Sequence, residues 1–378
     1  MGNMLPLITG AIWLYVLGRF VRPLPWRVGA RAALAFVIFL VAQYHWFTRH
    51  FFGSLASPEL PRPVLLGLGW AFGAFLLLGM LLLLRDVAGG LVFLVSRRAG
   101  RAVLSGRTLH RSLGALALVL SAVGTWQAVR VPDVKTVTIA IPGLPPAFDG
   151  YRIAQLTDLH ASRLLPESWM AAVVARTNAL DADLIVITGD LADGFPEARA
   201  ADVRPLGDLR ARDGVLAIPG NHEYYADYRS WMAAYRALGL GMLENDHVLI
   251  RRGGATLAVA GLTDRQAGRF GQPRPDLDAA LKGLEPGVPV ILLAHRPDRA
   301  ARHARAGIAL QLSGHTHGGQ ILGPHLLTQW VNKGFVSGLY RLGPMRLYVS
   351  NGAGLWNGLA LRLGRPSEIT RIVLRAEE

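Results

Sequence analysis

The chain has 378 residues, of which 51% are hydrophobic and 17% charged, and 40 Lys+Arg outnumber 26 Asp+Glu to leave a net charge of +14. That apolar content excludes an intrinsically disordered chain, and the absence of cysteine excludes disulfides, thiolate zinc sites, iron–sulfur clusters and cysteine nucleophiles. The charge is concentrated early: residues 1–130 carry thirteen arginines but only two acids, Glu59 and Asp86, so the excess reads as headgroup- or cytoplasm-facing arginine rather than as a nucleic-acid surface.

Four apolar runs occupy the first third, at residues 4–20, 28–47, 64–84 and 109–129. Each approaches the ~20 residues that cross a bilayer core, which predicts a multi-pass α-helical membrane domain of about four spans over 1–130. No basic stretch precedes the first run, so it reads as an anchor and not as a cleaved leader. Residues 87–95 are too short to cross alone and read as interfacial or as an extension of the third run. Gly69 and Gly73 form one GxxxG pattern, weak evidence in so glycine-rich a run. Arg19, Arg22, Arg27 and Arg31 lie around the first loop, and Arg85, Arg97, Arg98, Arg101, Arg107 and Arg111 around the third; the second has Arg49, Arg62 and Glu59. Short arginine-rich loops stay cytoplasmic, so everything after Val131 is expected on the extracytoplasmic side of a cell membrane. A crossing by 87–95 would put it in the cytoplasm instead.

Residues 131–150 form a junction rich in Pro and Gly (Pro132, Pro142, Gly143, Pro145, Pro146) that contains the first expected strand. Beyond it, short apolar runs alternate with amphipathic ones. Strands are expected at 136–141, 152–157, 184–188, 215–218, 247–250, 256–260, 290–293, 310–313, 346–350 and 370–374. Helices are expected at 167–180, 226–238 and 298–306. Residues 151–378 therefore read as an α/β domain, nearly neutral and expected to fold without the spans.

Five motifs fall at or just past the ends of expected strands: Thr157-Asp158-Leu159-His160, Thr188-Gly189-Asp190, Gly220-Asn221-His222-Glu223, Ala294-His295-Arg296, and the stretch from Ser313 to Gln320 that reads SGHTHGGQ. Strand ends in open α/β folds project side chains into one crevice. Asp, Asn and His together suit borderline and hard divalent metals, and two neighbouring cations need a shared carboxylate between them. Any one motif is ambiguous; five at successive strand ends are not. His45, His50, His110, His247, His303 and His325 stand outside them and read as structural or exposed. No phosphate-binding P-loop and no GxSxG nucleophile elbow is present.

The ordered set D-x-H, G-D, G-N-H-E, H and G-H-x-H resembles the calcineurin-like metallophosphoesterase superfamily, and GNHEYY (220–225) with LSGHTHGGQ (312–320) resembles its bacterial membrane-associated branch. The resemblance covers roughly 151–374. It implies a four-layer α/β/β/α sandwich with a dinuclear centre. Carried over by position, Asp158, His160 and His317 would hold one metal, Asn221, His295 and His315 the other, and Asp190 would bridge them. His222 would serve the leaving group, with Glu223 as support. Tyr224, Tyr225, Asn245, Arg296 and Gln320 lie next to motif residues without an assignable role. The implied cofactors are two divalent ions (Mn, Fe or Zn), and the implied reaction is hydrolysis of a phosphate mono- or diester by a metal-bridged hydroxide. Membrane spans beside such a domain suggest a lipid or lipid-linked phosphate as substrate and membrane lipids as partners. The nearly neutral α/β part disfavours nucleic acid. The alternative is a metal-bound membrane sensor or scaffold without turnover.

Overall fold

The computed structural model describes residues 4–52 and 57–377. They form two compact units, Met1–Gln127 with Asn357–Leu363, and Ala128–Trp356 with Gly364–Glu378.

The first unit is helical: α1 (Leu5–Val16) runs into a π-helical turn (Leu17–Val21), followed by α2 (Val28–Ala42), α3 (Tyr44–Phe51), α4 (Arg62–Val95), α5 (Arg97–Ser105) and α6 (Arg107–Val129). All four apolar runs lie on helices, but among the described residues only α4 and α6 are each long and apolar enough to cross a membrane. A third is reached if α2 and α3, bent by 54°, count as one span, and Leu5–Val21 is shorter. The bend falls at Gln43, whose amide leaves the helix to donate to Pro6 O and Thr9 Oγ1. α4 has 34 residues, about 50 Å at 1.5 Å per residue, against a hydrocarbon core of about 30 Å. Residues 87–95 thus extend the third run as one helix. The arginine-rich ends of these helices gather together. Arg19 and Arg85 both bond Asp86, His110 reaches Phe20 O, and Arg31 donates to Arg22 O.

The returning segment Asn357–Leu363 explains the glycine pair. A Cβ on Gly69 would lie 2.9 Å from Ala360, and one on Gly73 would lie 2.6 Å from Ser121 Oγ and 3.3 Å from Leu361. The small residues therefore let α6 and this strap press against α4. His45 Nε2 and Tyr44 O–H bond Gly358 O and Asn357 O, while Leu361 and Arg362 are fully buried.

The second unit comprises, in order, β1 (Asp133–Pro142), β2 (Arg152–Leu156), α7 (Glu167–Asn178), β3 (Leu184–Thr188), α8 (Pro196–Val203), β4 (Val215–Ile218), α9 (Tyr228–Ala237), β5 (Gly241–Met242), β6 (Asp246–Arg252) and β7 (Ala255–Gly261). It continues with α10 (Leu277–Ala280), β8 (Val290–Leu293), α11 (Ala300–Arg305), β9 (Leu310–Ser313), α12 (His325–Val331), β10 (Gly338–Leu342), β11 (Met345–Val349) and β12 (Glu368–Glu377). Every expected strand is present. The elements without a sequence expectation are α8, α10, α12, β5 and β10, all short.

Two six-stranded sheets result, in the orders β1-β12-β2-β3-β4-β5 and β10-β11-β9-β8-β7-β6. The strand β3, LIVIT, shows why. Its side chains alternate faces, so Leu184 and Val186 enter the core shared with Val259, Ile291 and Leu312 of the other sheet, whereas Ile185 and Ile187 meet Trp169 and Met170 of α7 and Trp231 of α9. A strand buried on both faces reads as continuously apolar. A third core sets Ala258, Leu292 and Val349 against Leu277 of α10 and Ala300 of α11. Strands β2, β3 and β4 are mutually parallel, as are β7, β8, β9 and β11. Their carboxyl ends carry the motifs.

Candidate metal centre

Asp158, Asp190 and Asn221 follow β2, β3 and β4, and His295 and His315 follow β8 and β9. Both sheets therefore contribute to one place. Gln155, buried on β2, ties them together beneath it by donating to Thr188 Oγ1 and to Ser313 O. Five of the residues, Asp158, His160, Asp190, His315 and His317, have φ between 47° and 69°. Left-handed backbone is costly for residues with a Cβ and collects where a site demands it. Gly220 is compelled by closeness, because a Cβ there would sit 2.1 Å from Asp190 Oδ1.

Among the described residues three groups of potential ligands emerge, Asp158 with His160 and His317, Asp190 with His295 and His315, and His160 with Asp193 and His222, of which the first two hold the expected ligands. In the first, His160 Nδ1 donates to Asp193 Oδ1 at 3.0 Å, since a carboxylate only accepts. That leaves His160 Nε2 facing His317 Nε2 at 3.3 Å, with Asp158 Oδ1 3.4 Å from the latter and Asp190 Oδ2 3.7 Å from the former. In the second, His295 Nδ1 donates to Thr188 O at 2.8 Å, and its buried Nε2 lacks a hydrogen-bond partner while lying 3.2 Å from Asp190 Oδ2. Burial opposes charge on His295, but Asp190 outweighs it and pushes the pKa up to about 9. A proton on Nε2, or a cation in its place, is what such facing acceptors demand.

The carboxylates are held in advance. Asp158 accepts from Thr157 Oγ1 and from the His315 backbone N–H, and Asp190 Oδ1 accepts from the His222 N–H at 2.9 Å, leaving Oδ2 toward the histidines. Burial works against charge on Asp190, but His295 and His222 overcome it and hold the pKa well below the ordinary value. The fully buried Glu223 accepts from the backbone N–H groups of Gly220, Leu191 and Asp190, clamping the loop after β3 to the loop after β4.

Arg296 takes the position facing Asn221 and His315. Its Nε donates to buried Asp264 at 2.7 Å, its Nη2 to Asn221 Oδ1 at 2.6 Å, and its Nη1 meets His315 Nε2. Burial, then the charge of Arg296, keeps the His315 pKa well below its usual value, so this neutral imidazole accepts from Arg296 at Nε2. Asn221 Oδ1 and His315 Nε2, two of the acceptors expected to hold the second ion, thus already converge on a positive charge.

The structure brings together all seven residues expected as ligands, with His222 beside them. It adds Asp193, whose Oδ1 also accepts from His222 Nδ1 at 2.6 Å. Burial resists its charge, yet His160 and His222 hold its pKa at about 2. For His222 burial is likewise outweighed by Asp190 and Asp193, and the pKa rises to about 10. Asp193 stands three residues after Asp190, which was the only trace it left in the sequence. The histidines outside the motifs bond elsewhere: His247 to Ala280 O, His303 to Gln311 and His50 to Trp46 O. On the open side the rings of Tyr225 and Trp356 lie 5.2 and 6.5 Å from that of His222.

Residues 151–319 match the family model for calcineurin-like phosphoesterases. A bovine (Bos taurus) transmembrane protein with metallophosphoesterase domain is 38% identical over 301 residues, 75% of this chain and 67% of that protein. Its zebrafish (Danio rerio) namesake is 35% identical over 291 residues, 74% and 66%. The uncharacterized metallophosphoesterase YkuE of Bacillus subtilis is 34% identical over 250 residues, 63% and 84%. This chain spans about two thirds of the length of the two vertebrate relatives. With its motif residues gathered at the carboxyl ends of two sheets, the chain belongs to the calcineurin-like metallophosphoesterase family.

Proposed function

We propose that this protein hydrolyses a phosphate mono- or diester at a two-cation centre, and that its natural substrate is an amphiphilic, lipid-like phosphate. The observation that carries the reading is the pair of neighbouring ligand groups, Asp158/His160/His317 and Asp190/His295/His315, with Asp190 Oδ2 lying 3.2 Å from His295 Nε2 and 3.7 Å from His160 Nε2. Asp158, His160 and His317 would hold one ion, and Asn221, His295 and His315 the other, with Asp190 between. Mn, Fe or Zn would suit these ligands, and bound there they supply Lewis acidity toward phosphoryl oxygens and acidify water. Arg296, anchored on Asp264, offers its remaining N–H groups to a phosphoryl oxygen once cations take over Asn221 and His315. His222, held at Nδ1 by Asp193, keeps Nε2 to donate a proton to the departing oxygen. The three cores support an α/β/β/α layering of the second unit.

The clustering of arginine-bearing helix ends supports a cytoplasmic face there. α6 then carries the chain from Arg107 to the opposite end of the helix, so the phosphoesterase domain faces the extracytoplasmic side of a cell membrane. Reporter fusions after Val131 test this: an enzyme active only outside the cytoplasm should work there, and a fluorophore that folds only inside should stay dark.

The function is tested by metal analysis of the purified full chain together with a screen of phosphate mono- and diesters. About two ions per chain and hydrolysis lost to chelation are expected. A chain that loads metal but turns over none of the esters would instead be the sensor or scaffold.

A further inference from the structure

The turn that carries His317 leads directly into an apolar surface. His317–Gly319 packs on the start of α12, where a Cβ on Gly319 would meet His325 Cα at 2.5 Å. None of the residues of α12 is buried. Leu322, Leu326, Leu327, Trp330 and Val331 are 62, 60, 66, 77 and 59% exposed, and Trp330 is more exposed than any other described tryptophan, including those of the apolar helices. So dense an apolar patch on a water-facing surface marks an interaction site. Charge then selects the partner. From Arg299 through Ser367 the sequence has no acid, and Lys333, just past the end of α12, and Arg341 are both exposed. Apolar side chains with a tryptophan and a cationic surround are what an interfacial element presents to anionic lipid.

We infer that Leu322–Lys333 is a membrane-docking element that dips Leu326, Leu327 and Trp330 into the interface of an anionic bilayer beside the metal centre. The docking surface stands independently of the phosphoesterase reading; only its consequence, that substrate is taken from the lipid surface, rests on it. Because the chain has no cysteine, single-site labelling is clean. Full-length Leu327→Cys and, as a reference, Lys282→Cys carry an environment-sensitive fluorophore in vesicles of equal parts phosphatidylcholine and phosphatidylglycerol. Quenching of the Leu327 probe by doxyl-labelled lipid, with little at position 282, is expected. Equal, weak quenching at both positions would overturn the inference. So would a Leu327 probe shielded from water but untouched by the lipid quencher, since a second copy or another protein then covers the patch. In a second arm, Leu326→Glu/Trp330→Glu should leave hydrolysis of soluble bis(p-nitrophenyl) phosphate unchanged and slow hydrolysis of a vesicle-borne lipid phosphoester roughly tenfold. Equal effects on both esters would refute the link to substrate. No hydrolysis by the unsubstituted chain of these esters or of any phosphate mono- or diester in the screen would refute the proposed function and leave the probe result standing.

Discussion

Asp193→Ala removes one buried oxygen that serves two histidines. Asp193 Oδ1 holds Nδ1 of His160 at 3.0 Å and Nδ1 of His222 at 2.6 Å, and the residue is 1% exposed. The first bond fixes which nitrogen of His160 faces the ligand group; the second fixes His222. Outer partners of metal-binding histidines are typically worth 10–100-fold in affinity or activity, about 1.4–2.8 kcal/mol. Each N–H stranded without a partner costs about 1–3 kcal/mol. Asp193→Ala should therefore weaken metal binding roughly 10–100-fold and lower kcat at saturating metal as well, because His222 loses its anchor. Asp193→Asn keeps the shape and one acceptor, and should lose less of both. The assay is competition for metal against a chromogenic chelator, followed by turnover of a soluble ester, with circular dichroism as the check on folding. A folded Asp193→Ala protein with unchanged affinity and unchanged kcat would refute the reasoning.

Asp190→Ala should abolish metal loading and turnover together, read by metal analysis, since Asp190 Oδ2 faces His160 on one side and His295 on the other and is the bridging ligand under the proposed function. His222→Ala should keep its metal and slow hydrolysis by ~10²–10⁴-fold, the range of a general acid or base; full activity would remove it from the reaction. Metal binding should weaken as pH falls, because the imidazole nitrogens must be free of protons to bind a cation, and affinity titrations across pH would show it. A fragment of residues 131–378 should load metal yet self-associate, because Leu361 and the rest of the strap lose their partners on α4 and α6. Each large side chain so exposed forfeits ~1.5–3 kcal/mol of burial. Replacing 357–363 by an equally long Gly/Ser segment should restore a monomer in size-exclusion chromatography, and a monomeric fragment with its native strap would contradict the packing.

Whatever was legible in the order of residues alone obeys local rules. Short, β-branched apolar stretches such as LIVIT, bounded by turn residues, read as buried strands, and Asp158, His160, Asp190, Asn221, His295, His315 and His317 are legible because each stands a few residues past such a strand in a recognisable string. Elements too short to carry a period, β5 and β10 among them, left no such signal. Tertiary structure decided the rest. Asp193 matters because one oxygen lies between histidines that follow different strands, Gln155 because its amide reaches the other sheet, and Arg296 because it follows β8 of one sheet and reaches residues that follow β4 of the other and neighbouring β9. The GxxxG pair is intelligible only once Leu361, almost three hundred residues downstream, packs beside Gly73. The patch on α12 was invisible for the same reason. Apolar residues in a row say nothing of exposure until the chain around them is folded, because burial is a property of the whole packing and not of the segment.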